Sequence, residues 1–150
     1  LEERCEPEIN LAIAAFIPET YIPDTNQRLV LYKRLVQADS NDDVTEVVNE
    51  MHDRYGRPPL AAQTLARIME LRIRLKQLKV LKVDADAKRL CLAFHPRTTV
   101  SPDALINLIR TAPATYQFTP DHRLLVNLPQ NGTNNDTLEA LASKLTLLGA

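Results

Sequence analysis

The segment NDDVTEVVNEMHDRYGRPPL, residues 41–60, predicts a helix, a stop and the beginning of a second helix. The first helix carries its apolar side chains at helical spacing, in one stripe: Val44, Val47, Val48, Met51 and Tyr55. Ser40 precedes this helix as an N-cap, and Asp43 completes a pattern similar to a capping box. Gly56 can adopt the left-handed conformation that ends a helix, and the two prolines that follow forbid its continuation.

The same helix carries four carboxylates, separated by three, four and three residues: Asp43, Glu46, Glu50 and Asp53. This spacing lines them along one side of the helix, which we call the acidic face. Each like-charged pair at this spacing costs about a few tenths of a kcal/mol. The helix dipole also disfavours acids near the C-terminal end, where Glu50 and Asp53 lie. A basic partner opposite that end would relieve the repulsion, whereas the ordinary alternative is a solvated polar surface.

The bulk composition is that of one globular domain. The chain has 150 residues, a formal net charge of −1 and 45% hydrophobic residues, and its pI near 6.3 gives no general attraction to nucleic acid or anionic membrane. No apolar run approaches the roughly 18 residues of a membrane span, and the first residues lack the apolar core of a signal peptide. Cys5 and Cys91 lie far apart without CxxC spacing, which predicts reduced thiols that are either buried, as the apolar strand pattern around Cys91 favours, or idle. We expect a cytoplasmic domain with no membrane association.

Further elements are predicted on both sides of the opening segment. They are a strand around 9–13, a helix from Asp24 to about 38, and a long helix from Pro59 to about Lys79. The buried face of the helix that follows Asp24 is predicted at four positions: Leu29, Tyr32, Leu35 and Val36. Beyond Lys79 the pattern becomes hairpin, helix, hairpin and helix, in residues 80–94, 101–111, 115–128 and 136–148. The fold class that follows is α+β, with a helical N-terminal half packed with a small antiparallel sheet and further helices.

The sequence contains no motif for catalysis or for cofactor or metal binding. The glycines at positions 56, 132 and 149 are too scattered for a phosphate-binding loop. His52, His95 and His122 belong to no zinc-ligand pattern, and the serines lack a GxSxG elbow. We therefore predict no catalytic residue, no metal and no cofactor. A small enzyme remains a hypothesis that would require a deep cleft with titratable groups.

A second charged surface lies on the long helix, in five basic side chains: Arg67, Arg72, Arg74, Lys76 and Lys79. Their aliphatic stems can cover the core while their charges stay in water. The alternative is a nucleic-acid-binding accessory module that uses this helix, with an affinity that falls steeply as salt rises. Only 5% of the residues are aromatic, so side chains for stacking on bases are few.

Three segments resemble the C-terminal domain of the bacterial transcription-repair coupling factor, Mfd. They read YIPDTNQRLVLYKRL, EVVNEMHDRYGRPP and ARIMELRIRLKQLKV. The shared pattern is an aromatic–x–P–D start, an R–L–x–x–Y–K–R helix, a D–R–aromatic–G–x–x–P stop and a leucine-rich helix. The resemblance is most specific over residues 8–80, and residues 81–150 agree with the family in order and length. One departure is that the family would have a glycine near Lys79.

This resemblance implies a single C-terminal regulatory domain in residues 8–150, preceded by a linker tail in residues 1–7. The full-length proteins of the family resemble ATP-driven DNA translocases that remove stalled RNA polymerase and recruit the repair protein UvrA. Their motor and their UvrB-like module lie upstream of this segment. In the family, the C-terminal domain packs on the UvrB-like module, masks the surface that UvrA must reach and restrains the motor.

For this contact, the resemblance implies a partner-binding role for Glu50 and Asp53, which align through the adjoining DRYG with family acids. Glu46 and Asp43 extend the same face and are included on geometry alone. Because the masked surface is basic in the family, the acidic face would be its complement. The implied partners are the UvrB-like module of the same longer chain and, indirectly, UvrA, RNA polymerase and DNA.

Overall fold

The computed structural model describes residues 6–129 and 132–149. Within these residues the elements are β1 (Glu8–Leu11), α1 (Thr25–Gln37), α2 (Asn41–Tyr55), α3 (Leu60–Leu78), β2 (Val80–Ala85), β3 (Arg89–Phe94), α4 (Pro102–Thr111), β4 (Tyr116–Phe118), β5 (Arg123–Asn127) and α5 (Asn134–Leu147). The predicted order and the α+β fold class are confirmed. Cys5 and most of the predicted linker tail lie outside the described residues.

The chain divides into two compact units, one of residues 13–73 and one that combines the residues before 13 with those after 73. The extent of the regulatory domain, residues 8–150, stays a prediction. The first unit contains α1, α2 and most of α3. Its core is a cluster of buried apolar side chains: Ile17, Ile22, Leu31, Leu35, Ala38, Val44, Val47, Met51, Leu65, Ala66 and Ile73.

Caps define both ends of α2. The side-chain oxygen of Ser40 accepts a hydrogen bond from the Asp43 N–H at 3.2 Å, as the sequence predicts. Gly56 ends the helix with φ 83°, a backbone conformation that residues with a Cβ rarely adopt. The buried side chains of α2 are Val44, Val47 and Met51, which confirms the predicted stripe.

The buried face of α1 differs from the prediction. Leu31 and Leu35 are buried, four residues apart and therefore on one line of the helix. Leu29 is 59% exposed and Val36 is 44% exposed, so their predicted burial is wrong. The reason is that α1 has apolar side chains on several sides, and spacing alone does not distinguish the side that meets the core. Tyr32 is half-buried, as its predicted place on the inner face requires.

The second unit contains a five-stranded sheet in the order β1-β2-β3-β5-β4. β2 and β3 form one predicted hairpin, β4 and β5 form the other, and β3 pairs with β5; all three pairings are antiparallel. The pairing of β1 with β2 is parallel, so the sheet is mixed rather than antiparallel throughout. A parallel pairing is possible because three helices separate the two strands in the chain.

Cys91 of β3 is less buried than the sequence predicts. Leu90, Leu92 and Phe94 are buried on one side of the sheet. Cys91 points to the opposite side, because successive strand residues face opposite ways, and its thiol is free and only partly buried.

Lys79 follows α3 and has φ 54°, the left-handed conformation that glycine adopts without strain. This is the position near which the family resemblance implies a glycine. The Lys79 N–H donates to the carbonyl of Lys76 at 3.1 Å and closes the end of the helix. The departure from the family pattern therefore changes the residue at this helix end without removing the turn.

Candidate functional site

The acidic face belongs to α2, whose opposite side is anchored in the core of the first unit. Val44, Val47 and Met51 belong to the same buried cluster as Leu31 and Leu35 of α1. Because these apolar residues fix the rotation of α2, the four carboxylates of the acidic face lie on the flank or on the outward side of the helix. Asp43 and Glu50 have partners within the domain, whereas Glu46 and Asp53 are exposed on the outward side.

Asp43 serves the local structure of α2. Its carboxylate accepts a hydrogen bond from the backbone N–H of Asp39 at 3.0 Å, just before the helix begins. A carboxylate at this end also interacts favourably with the helix dipole. Asp43 is exposed, but this hydrogen bond already gives it a role in the capping of its own helix.

Glu50 forms an ion pair with Arg34 of α1. Both side chains are about one third exposed, with relative exposures of 35% for Arg34 and 38% for Glu50. The repulsion among the acids suggests a basic partner opposite this end of the acidic face. For Glu50, that partner is Arg34 of the neighbouring helix α1. Arg34 is not among the residues that the sequence predicts for the buried face of α1.

Glu46 and Asp53 lie on the outward side of α2 and are exposed. They are seven residues apart, which is about two helical turns, so both occupy the same line of the helix surface. Neither side chain makes a hydrogen bond or an ion pair within residues 6–129 and 132–149. Their charges are therefore available to a partner from outside the described part of the chain.

The C-terminal end of α2, close to Asp53, is held by a tyrosine. The hydroxyl of Tyr21 donates to the backbone carbonyls of Met51 at 3.0 Å and Gly56 at 2.7 Å. Burial, with a smaller effect of the neighbouring Tyr55, raises the pKa of Tyr21. The two rings meet edge to face, with centroids 5.9 Å apart. The Gly56 carbonyl lies just after α2, so the Tyr21 hydroxyl gives a partner to a backbone group that the helix itself does not pair.

A side chain of α1 also contacts this end of α2. The amide oxygen of Gln27 accepts hydrogen bonds from the Tyr55 hydroxyl and the Arg54 guanidinium, each at 2.9 Å. The Arg54 guanidinium lies over the Tyr55 ring, 5.1 Å from its centroid. Gln27 and Arg34 therefore join α1 to α2 at two points, one on each side of Val30.

The basic side chains of α3 are engaged by the protein itself. Arg67 pairs with Glu70 at 3.2 Å, Arg72 donates to the Val36 carbonyl at 3.2 Å, Arg74 donates to Thr146 at 2.8 Å, and Lys76 lies 3.7 Å from Glu6. The Lys79 backbone adopts the strained turn described above. These contacts give four of the five cations a structural role and do not favour a basic strip for nucleic acid.

In residues 6–129 and 132–149, His, Cys, Asp and Glu form no group of three or more that could hold a metal ion. No helix among these residues is both long and apolar enough to cross a membrane.

Comparison with known proteins gives the family. A family model named TRCF domain matches residues 11–105, which is more than half of the chain. The chain belongs to the TRCF domain family. The curated relatives of this TRCF domain are transcription-repair-coupling factors: one from Myxococcus xanthus is 31% identical over 133 residues, and one from Haemophilus influenzae is 35% identical over 113 residues. These matches cover 89% and 75% of this chain but only 11% and 10% of the relatives, so the chain spans about a tenth of their length.

A solved structure agrees with this TRCF domain in fold. It is the crystal structure of the C-terminal domain of a transcription-repair coupling factor, with a TM-score of 0.80 and 23% sequence identity. The match covers 95% of this chain and 94% of the solved one. This match confirms the α+β fold, including in the second half of the chain, where the sequence motifs are generic.

Proposed function

We propose that this TRCF domain is a non-catalytic, autoinhibitory interaction domain of a longer transcription-repair coupling factor. It packs on the UvrB-like module of the same chain, masks the surface that UvrA must reach, and restrains the DNA translocase motor until RNA polymerase is engaged. Its role is in transcription-coupled DNA repair in the cytoplasm. UvrA, RNA polymerase and DNA are partners of the longer protein.

The observation that carries this proposal is the exposed pair of Glu46 and Asp53. They stand on a helix that is capped at both ends and packed on its other side, so the two charges occupy well-defined positions. No side chain of residues 6–129 and 132–149 neutralises them. A basic surface on another module of the same protein is the complement that these charges fit.

The four predicted contact residues take different parts in this proposal. Glu46 and Asp53 contribute charges that no side chain of residues 6–129 and 132–149 neutralises. Glu50 contributes by sharing its carboxylate between Arg34 and an incoming cation, because a carboxylate can accept several hydrogen bonds. Asp43 contributes to the local field while its hydrogen bond to Asp39 keeps the start of α2 in place.

The energy of such a contact suits a surface that must open. Exposed ion pairs contribute about 0–1 kcal/mol each. Two or three of them can hold a closed state by a small margin, which a partner with a preference for the open state can reverse. The engaged cations of α3 give no support to the nucleic-acid-binding alternative.

The experiment is charge reversal in the full-length protein. We expect Asp53→Arg and Glu46→Arg, singly and together, to raise UvrA binding and the ATPase rate with DNA in the absence of RNA polymerase. Both sites are exposed, so the domain should remain folded. Glu50→Arg is a less direct probe, because it also places two arginines against each other at Arg34.

Glu19→Arg is the matched control, since it makes the same charge change at an exposed position outside α2. It should leave UvrA binding and ATPase activity unchanged. If the double reversal at Glu46 and Asp53 behaves like this control at low salt, the acidic face is not the masking surface.

A further inference from the structure

The sheet of the second unit collects positively charged and histidine side chains at one of its two ends. At this end β2 begins, β3 ends and β5 begins, because β3 runs antiparallel to both of its neighbours. The side chains belong to residues just outside these strands or to the first residue of β5: Lys79, Arg97, His122 and Arg123. We call these four residues the basic end of the sheet.

Hydrogen bonds hold the residues of the basic end close together. The His95 N–H donates to the Lys79 carbonyl at 2.9 Å, and the Nδ1 atom of His95 accepts from the Arg97 N–H at 2.9 Å. On the other side of β3, the Phe94 N–H donates to the His122 carbonyl at 2.9 Å. The chain segments that carry Lys79, Arg97 and His122 are therefore direct neighbours.

The backbone is strained at the same end of the sheet. Lys79 has φ 54° and His122 has φ 62°. Among residues 6–129 and 132–149, these two are the residues other than glycine that have a positive φ. Residues in such conformations cluster at binding and switch sites, where the surrounding structure holds them. The strain therefore agrees with a binding role for this end.

Two cations of the basic end are not neutralised by the part of the chain that the structure describes. The side chains of Lys79 and Arg97 make no hydrogen bond or ion pair with residues 6–129 and 132–149. Arg123 differs, because its guanidinium lies 3.0 Å from the Asp121 carboxylate. Lys79 and Arg97 therefore keep two positive charges for an anionic ligand.

The opposite end of the sheet has a different arrangement of charge. There the carboxylate of Asp86 accepts hydrogen bonds from the backbone N–H groups of Lys88 and Arg89, each at 2.8 Å. These two bonds, and to a smaller extent the charges of the two side chains, lower the pKa of Asp86. Lys88 and Arg89 thus have an acid beside them, which makes them a matched comparison for Lys79 and Arg97.

The chemistry of the basic end fits phosphate groups on a double-stranded nucleic acid. Duplex phosphates are bound by cations alone, whereas a single strand is also held by aromatic side chains that stack on its bases. The His122 ring already contacts the Phe118 ring edge to face, with centroids 6.3 Å apart. This contact leaves His122 better placed to donate a hydrogen bond than to stack on a base.

We infer that the basic end of the sheet binds the phosphate backbone of duplex DNA, with Lys79 and Arg97 as the main contacts and His122 as an added donor. This surface is not the strip along α3, whose cations are engaged by the protein itself. It also lies in the other unit from the acidic face, so the inference does not rest on the proposed function. Because phosphates carry no sequence information, the binding has no sequence preference.

The test is titration of a short labelled DNA duplex with this chain, followed by fluorescence anisotropy at several salt concentrations. The logarithm of the binding constant should fall with the logarithm of the salt concentration with a slope of about −2, because each phosphate contact contributes about −0.9. In the double variant Lys79→Gly, Arg97→Gln, affinity at low salt should fall on the order of tenfold, and the slope should shrink by about 1 for each cation removed. Glycine adopts the backbone conformation of Lys79 without strain, so this variant should remain folded.

The matched control is Lys88→Gln, Arg89→Gln, which removes the same number of charges at the opposite end of the sheet. It should change the affinity by less than about twofold, because salt screens charges that do not contact the DNA. Thermal unfolding of both variants will establish that they remain folded.

Three outcomes would overturn the inference. The first is no binding of the duplex at low salt. The second is an equal loss of affinity in the two double variants, which would mean that the DNA responds only to the total charge of the chain. The third is displacement of the duplex by polyglutamate or inorganic phosphate as effectively as by unlabelled duplex at equal ionic strength, which would identify an acidic peptide or a free phosphate as the ligand.

Discussion

α1 and α2 share one core but present different surfaces on their outer sides. Both bury leucine, valine or methionine in the cluster of the first unit. The outward side of α2 is acidic, with Glu46 and Asp53 exposed, whereas the outward side of α1 is mixed, with Lys33 exposed between Leu29 and Val36. The difference teaches that two helices can share one core although only one of them marks its outer side with a line of charge.

The two helices also differ in how well their sequences predict burial. In α2 the charged residues mark the outer side, so the apolar stripe is assigned correctly. In α1 the apolar residues occupy several sides, and two of the four predicted buried positions, Leu29 and Val36, are exposed. Charged residues on the outer side of a helix are therefore a better guide to its buried side than the spacing of apolar residues alone.

The first prediction tests the inner and outer sides of α1 and has the largest expected effect. Leu31→Ala should reduce the free energy of unfolding by about 2–5 kcal/mol, because it removes a buried side chain and leaves a cavity. Leu29→Ala should change it by less than about 0.5 kcal/mol, because the side chain is mostly in water. Urea unfolding of the two variants measures the difference. Equal losses would contradict the assigned rotation of α1.

The second prediction concerns the end of α2. Tyr21→Phe removes the hydroxyl that donates to the carbonyls of Met51 and Gly56. The free energy of unfolding should fall by about 1 kcal/mol, the usual net value of a lost hydrogen bond. Tyr32→Phe is the control for the pH profile described next, since it leaves Tyr21 intact. Denaturant unfolding at neutral pH gives the size of the loss.

The same variant has a defined effect at alkaline pH. Burial, and then Tyr55, raises the pKa of Tyr21 above its ordinary value of 10.0, so the folded state holds the phenol proton where the unfolded state releases it. The resulting stabilisation is present below pH 10.0 and is lost as pH rises through the pKa of the folded state. Tyr21→Phe should remove this decline and Tyr32→Phe should keep it. A decline that survives in Tyr21→Phe must come from another group.

The third prediction has the smallest effect and concerns the ion pair that joins the two helices. A double-mutant cycle of Arg34→Ala and Glu50→Ala should give a coupling free energy below about 1 kcal/mol, because the pair is partly exposed. The coupling should decrease further as salt rises. Denaturant unfolding of the four proteins at two salt concentrations measures it. A salt-insensitive coupling above this range would mean that the pair acts as a buried contact.

Much of the fold could be predicted because its signals are local. Ser40 caps α2, Gly56 ends it, and Pro102 begins α4 as expected. The parallel pairing of β1 with β2 could not be predicted, since it joins residues far apart in the chain and no short motif encodes it. Cys91 was expected to be buried, but its exposure depends on which side of the sheet is covered.

The candidate site was predicted in part. The spacing of Asp43, Glu46, Glu50 and Asp53 places them on the surface of one helix. The different surroundings of the four acids could not be predicted, because Arg34 reaches Glu50 only when α1 packs beside α2.

The sequence by itself determined the family, the order of the elements, the helix caps and the acidic face, because each depends on residues that are close together in the chain. The tertiary structure alone decided which acids are neutralised, which side of α1 is buried and how β1 enters the sheet. The physical reason is that charge pairing and burial depend on distances between side chains from different elements. Packing of the core sets those distances, and the spacing of residues in the chain does not.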